Sequence, residues 1–236
     1  MHNHAETANG TVRLSAKLRR SKRADSARSG QLKEIAMTNK LYAFVGPHAS
    51  GKSTLIKELI KLGVHYVPLY TTRTPEAVPR NLDSDPELYR FLDKIDFFKQ
   101  DFLVKTTYKG DYFGLLKKDI LDSIQQYPNS VVIMDAQSLN QLAKLLKDSF
   151  ESIYIMVDYV TLVERMLRMN HTNDEIKQHI EYAENNGEFD TWKTATYVVK
   201  NVISPDAALR QILAILGLAV PITDQHVNSL TGTMQS

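Results

Sequence analysis

Between residues 41 and 217 the chain alternates short, almost wholly apolar runs with stretches in which apolar residues recur every three or four positions. Leu41-Tyr42-Ala43-Phe44-Val45 is the first such run, and Leu55, Ile56, Leu59 and Ile60 follow at helical spacing. Val64 to Tyr70 predicts a second strand, and a long polar and mixed region then extends from Thr71 to about Pro128. Val131-Val132-Ile133-Met134, closed by Asp135, has the unbroken hydrophobicity of a strand buried on both faces. Leu139, Leu142, Leu145 and Leu146 stripe the next helix, Ile153 to Val157 forms another strand, and Leu162, Met166 and Met169 stripe a further helix. Tyr197 to Val199 is the last strand. Ser204-Pro205-Asp206 then supplies an N-cap, a proline for the first turn and an acid suited to the helix dipole, for a helix ending at Gly217. The pattern predicts an α/β fold, a parallel sheet flanked by helices, with an inserted region after the second strand. Ligands of such sheets bind at the carboxyl ends of the strands.

At one such end stands Gly46-Pro47-His48-Ala49-Ser50-Gly51-Lys52-Ser53, followed by Thr54. It matches G-x-x-x-x-G-K-[ST] in the strand–loop–helix context that gives the motif meaning. Backbone N–H groups of such a loop and the positive end of the following helix make a nest for anionic oxygens. The expected fold is therefore of the P-loop NTPase type. Gly46 through Thr54 are the predicted ATP-binding residues, with Lys52 reaching the β- and γ-phosphates and the Ser53 hydroxyl on Mg²⁺. A glycine turn with no ligand is the competing reading.

Composition removes several alternatives. The 236 residues contain no cysteine, so neither a disulfide framework nor a thiolate metal site is available. No apolar run approaches the ~20 residues of a membrane-spanning helix. The seven histidines are scattered singly, without an H-x-x-x-H pair, so no structural zinc is expected and His48 reads as a permitted filler of the loop. Charge is unevenly placed. Residues 1–37 hold 8 Lys and Arg against 3 Asp and Glu, leaving 21 against 24 in the remainder. This basic, Ser-rich segment lacks aromatic residues and reads as a disordered extension. An organelle transit peptide, a nucleic-acid-binding arm and a true start at Met37 remain open, the last being favoured.

The inserted region carries a resemblance. Thr71-Thr72-Arg73-Thr74-Pro75, Leu88-Tyr89-Arg90-Phe91, Tyr108-Lys109-Gly110-Asp111-Tyr112-Phe113-Gly114 and Asp135-Ala136-Gln137 follow the glycine loop in that order. Together they resemble the successive landmarks of the guanylate kinase family, over about Lys40 to Leu216. The resemblance implies a core of 38–70 and 131–217, an acceptor-binding insertion of 71–130, a lid of about 168–190 and a polar tail over 218–236. It implies ATP-dependent phosphoryl transfer, with Mg²⁺, to a nucleoside monophosphate, GMP or dGMP first. Arg73 and Tyr89 would clamp the acceptor phosphate, with Arg80, Tyr112 and Phe113 also in the acceptor site. Asp135 would stand beside Lys52 and the Mg²⁺ shell or touch the acceptor base, and capping a helix is its plainer alternative. Lys52, Asp135, Arg165 and Arg168 are the implied catalytic residues, the two arginines closing over the phosphates.

The chain departs from the family pattern mainly on the acceptor side. Glu76 stands at the second arginine of T-T-R-x-P-R, Leu69 at a guanine-contacting serine, Val104 at a guanine-reading glutamate, Phe113 at a tyrosine and Leu115 at a serine. In the lid, His179 replaces an arginine, a titratable ring in place of a permanently charged fork. Loss of polar base readers lowers discrimination among bases. A kinase for another phosphorylated acceptor, such as a sugar phosphate, and a binding module of the same fold are the alternatives. Expected partners are small-molecule nucleotides, with neither membrane nor nucleic acid, for a cytoplasmic monomer or homodimer.

Overall fold

The computed structural model describes residues 39–74 and 88–218, so the expectations for residues 1–37, for the tail from 219 onward, and for Glu76 and Arg80 lie outside the described residues. Five strands make the core sheet: β1 (Lys40–Val45), β2 (His65–Tyr66), β7 (Asn129–Ile133), β8 (Phe150–Met156) and β9 (Tyr197–Lys200), in the spatial order β2-β7-β1-β8-β9. All neighbours are parallel, with Phe44 opposite Ile133 on one side and Ile153 on the other.

The unbroken hydrophobicity of β1 follows from burial on both faces. Tyr42 and Phe44 point to one side, into a cluster with Leu55, Ile56 and Leu59 of helix α1 (Lys52–Lys61) and Ile212 of helix α7 (Pro205–Ile215). Leu41, Ala43 and Val45 point to the other, against Leu139 and Leu142 of helix α4 (Ala136–Leu146) and Ile120 of helix α3 (Lys117–Gln126). This is the strand's two-residue period set between helical layers. Each large side chain so buried contributes about 1.5–3 kcal/mol. The last helix begins as the sequence predicts: Ser204 accepts from the Ala207 N–H, Pro205 occupies the first turn, and Gly217 follows at φ 68°.

Two boundaries differ from the sequence reading. Val64 to Tyr70 is two strands, not one. It divides around Val67-Pro68, where proline offers no N–H to a sheet ladder. β2 joins the core sheet, whereas β3 (Leu69–Thr71) joins a second sheet of order β4-β3-β6-β5 with β4 (Tyr89–Phe91), β5 (Phe102–Tyr108) and β6 (Asp111–Leu116). In that sheet β3 pairs parallel with β4 and antiparallel with β6, and β6 pairs antiparallel with β5. A short helix α2 (Lys94–Lys99) precedes β5. The inserted unit thus starts at Leu69 rather than at residue 71. Ile120 of α3 packs in one cluster with Val104 of β5, Leu115 of β6 and Leu41 of β1.

Helices α5 (Tyr159–Arg168) and α6 (Asn173–Asn185) form an arm, and α6 lies within the span of about 168–190 expected as a lid. Thr172 and Glu175 close a reciprocal capping box that starts α6. Leu162, Met166 and Met169 of the predicted stripe pack against Ile176, Ile180 and Ala49 of the glycine loop. The arm therefore rests directly on the loop.

Candidate active site

The loop between β1 and α1 needs both of its flanking glycines. Gly46 has φ 141° and a Cβ there would lie 2.8 Å from the Ile155 carbonyl. Gly51 has φ 95° and a Cβ there would lie 2.5 Å from the Asn201 amide nitrogen. Asn201, buried at the end of β9, donates to the Ser50 carbonyl at 2.9 Å. Arg165 of α5 completes this brace, donating to the Ala49 and Ser50 carbonyls at 3.3 and 3.1 Å and to the Asn201 carbonyl at 2.7 Å. Lys52 folds back over the loop, its Nζ donating to the Gly46 and Pro47 carbonyls at 2.7 and 2.8 Å. Ser53 is buried in the first turn of α1. Glycines that admit close backbone approach, a lysine over the loop and a hydroxyl in the first turn are the parts a nucleoside triphosphate and its Mg²⁺ require, so the residues present fit both.

A pocket of about 320 Å³ opens beside this loop, and Gly46, His48 and Lys52 form its donor end. Its other end is built by the second sheet. Arg73 lines it just beyond β3, donating from Nε to Asp111 at 3.4 Å with its guanidinium 5.7 Å from the Phe113 ring centre. Tyr89 of β4 lines it too, its ring edge-on to Phe113 at 6.4 Å. Leu69, Val104, Phe113, Leu115 and Met134 make an apolar wall, relieved by Thr106 and Ser138. Leu69, Val104, Phe113 and Leu115 thus all line the cavity itself.

Asp135 both lines the pocket and caps α4, accepting from the Ser138 N–H at 2.8 Å and from the Ser138 hydroxyl at 3.1 Å. The two readings of this residue are compatible, because a cap at a strand's carboxyl end is at the ligand edge of the sheet.

Among the described residues expected to be catalytic or to bind the acceptor, three do not line this pocket. Tyr112 alternates with Phe113 along β6 and so faces the opposite side of the small sheet, edge-on to Phe98 at 4.9 Å and outside the pocket lining. Arg168 is exposed and pairs with Glu164 at 3.3 Å, one helical turn away. Arg165 touches the loop's carbonyl groups rather than the pocket, as a brace. Pleat and helical phase, which the motif spacing does not convey, account for all three.

Conversely, the pocket contains groups that sequence reasoning missed or undervalued. His48 is no filler: it stacks on His179 at 4.0 Å between ring centres, and His171 approaches both rings. Burial, with the neighbouring imidazoles and Lys52, pushes the His48 pKa down to about 2. His179, mainly through burial and then the Lys109 ammonium, is pushed down to about 4. Both rings are neutral at physiological pH. Burial also raises the Glu188 carboxyl above its ordinary range, with Asp135 adding to the shift and Lys52 opposing it. Glu188 begins a 3₁₀ turn (Glu188–Lys193) after α6, and nothing in its sequence neighbourhood marks it as a pocket residue.

A family model described as guanylate kinase matches residues 38–205, most of the chain. The chain belongs to the guanylate kinase family. It is 27% identical over 181 residues to the guanylate kinase of Mycoplasma pneumoniae, a match that covers 66% of this chain and 73% of that protein. Identity to the guanylate kinase of Mycoplasma genitalium is 28% over 194 residues, 78% of this chain and 77% of that one. The crystal structure of guanylate kinase from Anaplasma phagocytophilum superposes with a TM-score of 0.58 at 17% identity, over 77% of this chain and 86% of that structure, a likeness of fold. Family membership makes the chain a nucleoside-monophosphate kinase, a phosphotransferase. The match spans the core, the small sheet and the α5–α6 arm together. Among the described residues, no helix is long and apolar enough to cross a membrane.

Proposed function

We propose that this guanylate kinase family member transfers the γ-phosphoryl group of ATP to GMP or dGMP, with Mg²⁺. The observation that carries the reading is that the loop lysine and the acceptor-side pair Arg73 and Tyr89 line one pocket. Phosphoryl transfer between two polyanions needs cations and donors on both sides of the moving group and little covalent help from the protein. The loop amides and Lys52 bind and orient the donor phosphates, Lys52 leaving its carbonyl partners for phosphate oxygens. The Ser53 hydroxyl would hold Mg²⁺, which would supply neutralisation of charge on the donor phosphates. Arg73 offers the acceptor phosphate a planar fork, pre-aimed by Asp111, and Tyr89 offers a hydroxyl. The base lies along Leu69, Val104, Phe113 and Leu115, with Thr106, Ser138 and Asp135 as its polar contacts. The acceptor's proton departs to solvent or to a pocket carboxylate as the new P–O bond forms and the bond to the ADP leaving group breaks. A protein with this activity works where ATP and nucleoside monophosphates are found together, in the cytoplasm.

The test is ADP release with MgATP against GMP, dGMP, AMP, UMP and CMP, with Lys52→Ala as the blank. Turnover on GMP and dGMP above the blank is expected. ATP binding with no turnover on any acceptor would overturn the kinase reading, and turnover on another monophosphate alone would replace the acceptor.

A further inference from the structure

Three imidazoles from three separate segments meet in the pocket wall: His48 from the glycine loop, His171 from the turn between α5 and α6, and His179 from within α6. One ring nitrogen of each lies within 4.8 Å of the others. The His48 and His171 Nε2 atoms are 3.3 Å apart. Two nitrogens bound tetrahedrally at the usual zinc–imidazole length of about 2.0–2.1 Å stand about 3.3–3.4 Å apart, so this pair already has the spacing of two ligands.

Two of the three rings have a neighbour at Nδ1. His171 Nδ1 faces the Glu175 carboxylate at 3.8 Å. His179 Nδ1 lies 2.8 Å from the Tyr108 hydroxyl. Metal-binding histidines characteristically place their second nitrogen near a carboxylate or hydroxyl, as the Tyr108 hydroxyl stands to His179.

We propose that His48, His171 and His179 bind one divalent late-transition-metal ion of the zinc class, with a solvent oxygen from the pocket in the fourth position. Nitrogen ligands of this kind suit zinc, cobalt, nickel and copper and not magnesium, so the site differs from the oxygen environment at Ser53. An occupied site ties the phosphate loop to the α5–α6 turn and to α6 itself, and places a fixed dication beside the loop. Lys109 opposes binding: its Nζ lies 3.3 Å from His179 Nε2 and must swing away on its exposed stem. Lys52 and Arg73 oppose it from farther off, and Glu175 favours it.

The inference stands apart from the kinase reading, because its readout uses no nucleotide. Untagged full-length protein, stripped with a chelator, is titrated with Co²⁺ as a visible-absorption probe. About one equivalent should bind with the intense bands of four-coordinate Co²⁺, and Zn²⁺ should displace it while Mg²⁺ does not. His171→Ala should weaken binding by more than about 100-fold. Glu175→Gln, which preserves the capping box, should weaken it by about 10–100-fold, whereas Lys109→Gln should tighten it several-fold. Metal-free melting curves identify any variant that has lost its fold. The opposed shifts of the Glu175 and Lys109 variants do not depend on the histidine variants folding. Absence of stoichiometric four-coordinate Co²⁺ in the wild type, or affinity unchanged in both Glu175→Gln and Lys109→Gln, would overturn the proposal.

Discussion

The two ends of the pocket are built on different terms. At the donor end the required groups are mostly backbone: loop N–H groups, two glycines that let the chain bend tightly, and a lysine whose place is set by its position in the first turn of α1. At the acceptor end the work falls to side chains on a small sheet, and there Leu69, Val104, Phe113 and Leu115 line the cavity. A site made from backbone tolerates few substitutions before its geometry fails. A site made from side chains can be repopulated one position at a time without touching the fold. The contrast is between a complete phosphate loop and the apolar wall of Leu69, Val104, Phe113 and Leu115 beside it.

The sharpest way to break this comparison is at Lys52. Lys52→Ala should lower kcat by about 10²–10³-fold or more, as loss of a fixed cation at developing charge does, with little change in melting temperature. Stopped-quench turnover with MgATP and GMP checks it, and near-normal turnover would mean that the donor end lies elsewhere. Arg73→Ala comes next. It should cost about 10–100-fold in kcat/KM for the acceptor while leaving ATP affinity unchanged, since a charge-assisted hydrogen bond is worth about 1.5–3 kcal/mol. A loss confined to ATP would mean that Arg73 serves the donor.

The same contrast governs what the sequence disclosed. The core strands, α1, the closing helix and the loop were legible because burial on both faces of β1, β7 and β8 leaves continuous apolar runs and because the loop's chemistry is local. The division of Val64–Tyr70 between two sheets was not, since periodicity reports that a strand exists but not which sheet receives it. Tyr112 and Phe113 are adjacent letters in one landmark, yet the pleat assigns only Phe113 to the pocket. The histidines are the clearest case. His48 and His171 are 123 positions apart, so their 3.3 Å approach depends entirely on how the α5–α6 arm packs over Ala49.

An apolar base wall sets a ceiling on selectivity, which sharpens the comparison from the acceptor side. Pockets that hydrogen-bond a base reject the wrong one by 10⁴–10⁵-fold, because mismatched polar groups are left unpaired, whereas apolar contact supplies about 1–3 kcal/mol, or roughly 10–200-fold. With Thr106, Ser138 and Asp135 as the polar groups proposed to contact the base, the preference for GMP over AMP in kcat/KM should fall in the lower range. Competition between the two acceptors measures it directly. A preference above about 10⁴ would mean that these three groups read guanine as strictly as a dedicated set does.

The smallest effect expected is on stability, at Glu188, where the two ends meet. Burial raises this carboxyl's pKa in the folded state, with Asp135 acting in the same direction and Lys52 against it. Between the unfolded value, about 4.3, and the raised folded value, the folded protein holds a proton that the unfolded chain has released. Stability contributed by the protonated group is therefore fully present below the unfolded pKa and is lost as pH rises through the folded one. Glu188→Gln removes the ionisation and keeps the shape, so it should melt higher than the wild type at pH 7, with the difference vanishing at pH 4. With MgATP bound the gap at pH 7 should widen, because the wild-type carboxylate then faces phosphate as well as Asp135. A gap that narrows on adding MgATP would mean that Glu188 supports the donor end through Lys52 instead of opposing the charge it binds.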